Sequence, residues 1–372
     1  PGGVAAKHGG LWTRRPGFES PPGYLFLPTA PPATKLYQVA ELATVQRAGE
    51  FRGVYAHFAS EVPDSESGAA VIRGMLRELS ELGVTAVLPL AKDTSSRVSY
   101  ASRLLPRLLR NVDVMGEVSE ACNDYGMEVH AWVCAFVERS VEESPVLSKH
   151  PDWAFVDRAG EPVGALCPSN EEARRFLLSV VEELLSGYEV DGVSLDYVRT
   201  PSGLCYCDNC VREFRRVSGQ DPRSLRPGSE GWYEWEEWQR ENVTAFVREA
   251  HDLVRRYGVR LSSYVWTSTS RYTVAQDWPA WVRRGYLDFV IPTGYVYSVD
   301  VFRKLCQEAK AVAGGIVPVC MCIGIRTSHG FLERPEDVLT YVDVVRRVGL
   351  EGFVLFSLSS LLPMASELRG RL

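Results

Sequence analysis

The sequence predicts a (β/α)8 barrel, and three observations lead to that fold. Eight short apolar or β-branched segments lie between residues 51 and 358, each with the length of a strand. Amphipathic segments with a helical pattern lie between most of them. The chain of 372 residues is also long enough for such a barrel to form as one unit. A doubly wound open sheet is the alternative, but no Gly-x-Gly-x-x-Gly follows the first strand.

The predicted strands alternate with helices along the chain. In order, the strands are 52–59, 84–91, 127–136, 191–198, 259–266, 287–295, 315–325 and 351–358. The clearest helical patterns are 69–83, 171–187, 240–258 and 335–349. Each of these four ends in glycine, the residue that most often terminates a helix. Regular alternation of this kind predicts parallel strands.

Two segments fall outside the alternating pattern. Residues 1–35 are rich in proline and glycine, so we expect 1–50 to form an extended arm with a lead-in helix. The catalytic barrel would then comprise residues 51–372. Residues 199–233 are long for a loop between a strand and a helix, so we expect an inserted loop that forms a wall of the substrate site.

Composition excludes several classes of function. Hydrophobic residues make up 45% and charged residues 24%, which is ordinary for a globular protein. The net charge is −6 and the chain has no basic stripe, so a nucleic-acid partner is not expected. No apolar run approaches the length of a transmembrane helix, so we expect a soluble chain. The absence of a starting methionine indicates a processed or truncated N-terminus, and the compartment and homo-oligomerisation are left open.

Asp196, on the fourth predicted strand, is the first candidate catalytic residue. Val193, Leu195 and Tyr197 alternate with it and should face the helices, which directs Asp196 into the barrel. It lies near the C-terminal end of its strand, where barrels of this kind place their active sites. The structural alternative is a helix cap or an ion pair with Arg199.

Hydrolysis of a glycosidic bond requires two carboxyl groups, so Asp196 needs a partner. Asp277, just after the fifth strand, is the first candidate, although it could instead cap the helix that follows. Asp93, at the end of the second strand, is the second candidate. Glu138 and Glu61 are weaker, and strands seven and eight end without an acid.

Aromatic residues near strand ends are expected to form the walls of the site. Trp132 on the third strand and Tyr264 and Trp266 on the fifth would face the interior if side chains alternate. Rings and carboxylates together suit sugars, because the C–H face of a pyranose stacks on an aromatic ring. The same rings could instead fill the barrel as core residues. His57 and Tyr295, near the ends of strands one and six, are further candidate substrate-binding residues.

Three cysteines in C-x-C-x2-C spacing follow the fourth strand and predict a metal site. Cys205, Cys207 and Cys210 need a fourth ligand, since structural zinc is normally four-coordinate, and Cys167 in the preceding loop can supply it. Four thiolates leave no position for water, so zinc would be structural. Free thiols or a disulfide are the alternative, but the spacing favours metal.

The cysteine region resembles that of a known enzyme family. The strings CPSNEEARRFLLSVVEELL and CYCDNCVREF are similar to the zinc-binding region of glycoside hydrolase family 42 β-galactosidases. That resemblance implies zinc at the four cysteines named above. The family ends its fourth strand on an Asn-Glu pair, whereas this chain has LDYVR, so β-galactosidase activity is not implied.

Most of residues 51–360 resembles the glycoside-hydrolase-like TIM barrels of the family-10-like group. The motifs that carry this resemblance include VDGVSLDYVRTP, EVHAWV, HPDWAFVDRAGEP and QDWPAWVRRGYLDFVIPTGY. The resemblance implies that Asp196 is catalytic and that Tyr197 and Arg199 shape the sugar subsite. It specifies neither the sugar nor the second carboxylate.

The predicted function is hydrolysis of a glycosidic bond in an oligo- or polysaccharide by paired carboxylates. Asp196 would act as nucleophile or acid. The alternative is a carbohydrate-binding barrel without catalysis, which the missing acids on strands seven and eight favour. A zinc hydrolase or deacetylase is a third option, but the six histidines are scattered and form no motif for an open metal site.

Overall fold

A computed structural model describes residues 49–372 and contains the eight predicted strands in one sheet. Strands β1–β8 are Phe51–Ala56, Ala86–Lys92, Glu128–Cys134, Gly192–Asp196, Arg260–Val265, Phe289–Pro292, Cys320–Gly324 and Gly352–Phe356. Neighbouring strands pair in parallel in the order β6-β5-β4-β3-β2-β1-β8-β7. A parallel bridge between Val290 and Val319 joins β6 to the residue before β7 and closes the sheet. The predicted (β/α)8 barrel is confirmed.

Within residues 49–372, at least one helix follows each strand. Helices α1–α8 are Ser67–Glu81, Val114–Tyr125, Glu171–Gly187, Glu230–Arg256, Trp278–Arg283, Val299–Ala313, Pro335–Val348 and Ala365–Leu368. The loops add the short helices Phe58–Glu61, Pro145–Lys149, Asp208–Ser218 and Leu358–Leu361, and the 3-10 turns Pro151–Trp153, Pro222–Ser224, Ser268–Tyr272 and Leu362–Met364. Two hairpins extend the loops after β3 and β7: Ala154–Val156 with Pro162–Leu166, and Arg326–Thr327 with Gly330–Phe331.

Alternation along the strands divides the core into two parts. Residues such as Val193 and Leu195 belong to the large outer cluster in which the helices take part. The residues between them face the barrel interior. The interior cluster contains Tyr55, Leu88, Leu90, Trp132, Cys134, Tyr264, Phe289, Ile291, Cys320, Cys322 and Val354. The barrel is therefore filled by side chains below its mouth.

The segment predicted as an inserted loop, residues 199–233, has more regular structure than expected. It contains the helix Asp208–Ser218, and α4 begins before the segment ends. Helix α4 begins ten residues earlier than the predicted helix because Ser229 caps it by accepting a hydrogen bond from the Trp232 backbone N–H. Trp235 then packs against the cysteine region, which gives this first part of the helix a buried face.

The predicted arm and lead-in helix lie almost entirely outside the described residues, and the boundaries of the barrel domain stay a prediction. Within residues 49–372, no helix combines the length and the apolar character that a membrane span requires.

Candidate active site

Asp196 is the last residue of β4 and lies at the mouth of the barrel, only 8% exposed. Its carboxyl accepts a hydrogen bond from Trp132 Nε1 at 3.1 Å and from the Tyr197 backbone N–H at 2.6 Å. Burial raises the pKa of Asp196 to about 6, against the opposing effect of these two bonds and of Arg199. A carboxyl with such a pKa can hold or release a proton near neutral pH, as a general acid or base must.

The backbone turns at Tyr197 and reverses the predicted direction of its side chain. Tyr197 has a φ of 51° in the left-handed region, and its ring packs against the interior cluster. Val198 lies in the outer core instead. The prediction that Tyr197 faces the helices is wrong, because β4 ends at Asp196 and the alternation ends with it. The turn brings the Tyr197 ring to the mouth and its N–H to the Asp196 carboxyl.

Aromatic rings from four strands and one loop meet in the interior. The ring of Tyr55 lies 4.7 Å from that of Trp132 and 6.1 Å from that of Tyr264, measured between centroids. Tyr295 lies 6.0 Å from Tyr264 and 5.4 Å from Phe356. Trp132 and Tyr264 are buried, so they fill the barrel beneath the mouth as well as bordering it.

Sequence reasoning missed Tyr55 and Phe356. Tyr55 holds an interior position on β1 and its hydroxyl lies 3.2 Å from the Ser194 hydroxyl, while Phe356 ends β8. Period-two alternation on these two strands was the available signal. Continued alternation would also place Phe136 in the interior with Trp132, but Phe136 packs on Phe246 in the outer core because β3 ends two residues earlier.

Arg199 and Trp266 form part of the rim. The Arg199 guanidinium carbon lies 4.5 Å from the centroid of the Trp266 ring and 5.1 Å from that of Tyr197. Trp266 is 39% exposed, so part of its ring is open to a ligand. Arg199 affects the pKa of Asp196, but its guanidinium donates to the backbone oxygens of Thr200 and Pro201 rather than to that carboxyl, so the ion pair that was the structural alternative is not formed.

His57 and Asp93 lie on the side of the mouth formed by β1 and β2. The His57 ring is 4.7 Å from the Trp132 ring, and Asp93 acts electrostatically on it. Burial lowers the pKa of His57 and the negative charge of Asp93 opposes that shift. Asp93 Oδ1 accepts backbone N–H bonds from Ser95 and Arg97, each at 2.8 Å, and Oδ2 has no partner among residues 49–372.

Two of the other candidate acids, Asp277 and Glu138, are held in structural contacts, whereas Glu61 is exposed. Asp277 caps α5 by accepting a hydrogen bond from the Ala280 backbone N–H at 3.3 Å, and its carboxylate lies 3.7 Å from Arg271 Nη1. Glu138 is buried in an ion pair with Lys92 at 3.2 Å. The capping alternative for Asp277 is therefore what the structure shows, and its catalytic role stays a prediction.

The four predicted metal ligands lie together in one buried cluster. The sulfur atoms of Cys167, Cys205, Cys207 and Cys210 are all within 4.8 Å of one another. Cys167 Sγ is 3.3 Å from that of Cys210 and 3.7 Å from that of Cys207. Zinc–sulfur bonds of about 2.3 Å in a tetrahedron place the sulfurs about 3.8 Å apart, so the cluster can hold a metal ion.

The cysteine cluster joins three parts of the chain. The Val156 backbone N–H, in the hairpin after β3, donates to Cys205 Sγ at 3.4 Å, and the Tyr206 N–H donates back to the Val156 oxygen at 2.7 Å. Gln239 of α4 exchanges two hydrogen bonds with the Cys205 backbone, at 2.9 and 3.1 Å. The cluster therefore anchors the loop that leads away from Asp196.

Comparisons with known proteins identify related sequences. Residues 72–328 match the family described as Glycosyl hydrolase-like 10. An S-layer-related protein of Niallia circulans is 25% identical over 329 residues, covering 67% of this chain and 20% of that protein. Glycosyl hydrolase YngK of Bacillus subtilis (strain 168) is 21% identical over 262 residues, covering 59% of this chain and 48% of that protein. The chain thus spans less than half the length of these curated relatives.

Solved structures of low sequence identity share the fold. The glycoside hydrolase domain of PgaB (BpsB) from Bordetella bronchiseptica has a TM-score of 0.67 at 15% identity, covering 86% of this chain and 98% of that chain. Alpha-L-fucosidase isoenzyme 2 from Paenibacillus thiaminolyticus has a TM-score of 0.61 at 14% identity, and the match covers 82% of this chain and 46% of that chain. The resemblance of the cysteines to family 42 stays a prediction, since these proteins do not test it. The match to the glycosyl hydrolase-like 10 family, over residues 72–328, covers more than half of this chain, so the chain belongs to that family.

Proposed function

We propose that the protein hydrolyses a glycosidic bond in an oligo- or polysaccharide, with Asp196 as the general acid. One observation carries the proposal: a buried carboxyl at the end of β4, hydrogen-bonded to Trp132 and lying among aromatic rings at the barrel mouth. Its pKa of about 6 suits proton donation to a leaving oxygen near neutral pH. Membership of a glycosyl hydrolase-like family and the names of its relatives support a carbohydrate substrate.

Asp93 is the proposed second carboxylate. It follows β2 on the mouth side of the barrel and acts electrostatically on His57, whose ring contacts Trp132, whereas Asp277 caps a helix and lies beside Arg271. In this arrangement Asp93 would act as nucleophile or base. A retaining enzyme requires carboxyl groups about 5–5.5 Å apart, and an inverting enzyme about 6.5–9.5 Å.

The substrate sugar would lie on the aromatic rim. The exposed part of Trp266 offers a ring face for stacking, and Tyr197 and Tyr295 would border the sugar nearer to Asp196. His57, in contact with Trp132, would be a polar contact on the opposite side.

Zinc is the proposed metal of the cysteine cluster, with a structural role. Four buried sulfurs at tetrahedral spacing match its preferred site and leave no position for a water molecule. The residues of the cluster would stabilise the loop after β4, and Asp196 and Asp93 would supply the two catalytic carboxyl groups.

Asparagine variants at three positions test the proposal. Asp196→Asn and Asp93→Asn should each lower kcat and kcat/KM by about 10²–10⁴-fold, the usual contribution of an acid–base group. Asp277→Asn decides between the two partners: it should keep its activity if Asp93 is the second carboxylate, because asparagine caps helices as well as aspartate does, and a loss as large as that of Asp93→Asn would instead assign the role to Asp277. Hydrolysis is measured on a broad glycan panel by product mass, and the fold by thermal unfolding.

A carbohydrate-binding barrel without catalysis is the second candidate function. It is favoured by the contacts that hold Asp277 and one oxygen of Asp93 within the protein. Glycan binding by calorimetry with no product from any glycan would establish it. Full hydrolysis by Asp196→Asn, or an unfolded variant that explains the whole loss, would reject the assignment of Asp196 as the acid.

A further inference from the structure

Arg199 is held in a fixed orientation at the barrel mouth. Its guanidinium lies over the rings of Trp266 and Tyr197, with its carbon 4.5 and 5.1 Å from their centroids. Nη1 donates to the backbone oxygens of Thr200 and Pro201 at 2.9 and 3.3 Å. These contacts set the plane of the guanidinium before any ligand binds, so less side-chain entropy would be lost on binding.

The remaining edge of the same guanidinium is available. Within residues 49–372, Nε and Nη2 of Arg199 have no hydrogen-bond partner, and no carboxylate forms an ion pair with the side chain. Arg199 is only partly buried, so its side chain is not sealed from solvent. By contrast, Arg284 uses both Nη atoms on Glu241, at 2.7 and 2.9 Å. An open Nε–Nη2 edge offers two parallel N–H donors, the geometry that binds a carboxylate in bidentate fashion.

The open edge belongs to the same site as Asp196. Arg199 acts on the carboxyl of Asp196 and Asp196 acts on Arg199, so the two groups share one electrostatic environment. Trp266 adds an exposed ring beside the guanidinium. A sugar at the mouth that packs against the exposed edge of Trp266, rather than on the face that Arg199 covers, would therefore meet the free N–H groups of Arg199.

We propose that Arg199 binds the carboxylate of an acidic sugar, and that the substrate is a polysaccharide containing uronic acid residues. This inference rests on the proposed function for the place of the sugar and adds its chemical class. A neutral sugar offers only hydroxyl oxygens, which form weaker bonds to a guanidinium than a carboxylate does.

Matched ligand pairs test the inference by binding alone. Oligosaccharides of galacturonic and glucuronic acid are compared by calorimetry with the same chains after reduction of their carboxyl groups to neutral sugars. The parent should bind at least one acidic chain about 10- to 100-fold more tightly than its reduced form, the range expected for losing a charged hydrogen bond. Arg199→Met should abolish the preference, and Arg199→Lys should restore part of it.

Arg158→Met is the control, because Arg158 also lies over a tryptophan, Trp232, but on the hairpin after β3. The Arg158→Met variant should keep the preference for acidic over reduced chains. Equal binding of acidic and reduced chains, or a preference that survives in Arg199→Met, would overturn the inference even if neutral glycans are hydrolysed. Preferential binding of acidic chains without cleavage would support the inference and reject hydrolysis as the function. Absence of binding to every acidic chain would also overturn it.

Discussion

The chemistry of the site depends on how single residues are placed at the end of β4. Asp196 is buried, yet it receives hydrogen bonds from Trp132 and from the Tyr197 backbone rather than an ion pair. The positive φ of Tyr197 makes the second bond, because it turns the N–H back towards the preceding carboxyl. A non-glycine residue in this conformation is uncommon, and such residues concentrate at functional sites.

Gly192 is the first residue of β4, at the opposite end of the strand from Asp196. Its lack of a side chain allows the His130 ring to lie close to the backbone. A Cβ atom there would lie in contact with His130 Nδ1, 2.8 Å from Cε1 of the same ring and 2.9 Å from the Arg260 backbone oxygen. His130 is buried and bonded to Glu128, so it cannot move aside freely. We expect Gly192→Ala to lower the free energy of unfolding by about 1–3 kcal/mol, as overpacking usually does.

Gly74→Ala is the control for that substitution. Gly74 lies inside α1 and its Cβ would meet no atom within 4 Å. Alanine there should raise stability by about 0.5–1 kcal/mol, because it favours the helix more than glycine does. Chemical unfolding of both variants measures the two effects, and a neutral Gly192→Ala would contradict the packing argument.

At the scale of elements, the cysteine cluster holds together segments that are not joined to one another by strand pairing. It connects the hairpin after β3, the helix Asp208–Ser218 and the N-terminal part of α4. Phe155, Phe214 and Trp235 pack around it in a separate buried cluster. Because this packing is small, a metal would supply much of the stability of the region.

We expect about one zinc per chain in the purified protein, bound by four sulfurs. Cys167→Ser should lose the metal and lower the melting temperature, since binding energy at a structural zinc site is folding energy. Cys306→Ser is the matched control, because Cys306 is a buried cysteine on α6 outside the cluster. Metal content by mass spectrometry and thermal unfolding are the measurements. Retention of zinc by Cys167→Ser, or a water-bound metal in a spectroscopic assay, would contradict the assignment.

At the scale of the whole molecule, Asp196 links stability to pH. Its pKa is raised from 3.8 to about 6 by burial, so the folded protein binds that proton more tightly than the unfolded chain does. The contribution to stability is therefore greatest below about pH 4 and is lost as the pH rises to about 6. A shift of this size corresponds to at most about 3 kcal/mol.

Asp196→Asn should accordingly be more stable than the parent at pH 7, because asparagine carries no charge to bury. Most of that gain should disappear near pH 4, where the parent carboxyl is protonated. Urea unfolding of both proteins at the two pH values provides the comparison. A variant that is less stable at pH 7 would indicate that the carboxylate is a structural group and would weaken its catalytic assignment.

The sequence by itself determined the barrel, the position of Asp196 and the grouping of the four cysteines. Most of these features depend on local patterns: period-two strands, helices ending in glycine, and three cysteines in C-x-C-x2-C spacing, to which Cys167 was added as the fourth ligand from the preceding loop. Each pattern is imposed by backbone geometry over a few residues, so it can be read along the chain. The motifs that indicated the family are also short, so the family too could be recognised from the sequence.

Only the tertiary structure decided how the mouth is assembled. Closure of the sheet brings Tyr55 and Phe356 from strands distant in sequence to the side of Trp132. The turn at Tyr197 placed one ring opposite to its predicted side, and assembly of the mouth put Asp93 where it acts on His57 while Asp277 caps a helix. Such outcomes depend on where strands end and on which ends meet across the barrel, because those distances are set by packing between remote segments rather than by local periodicity.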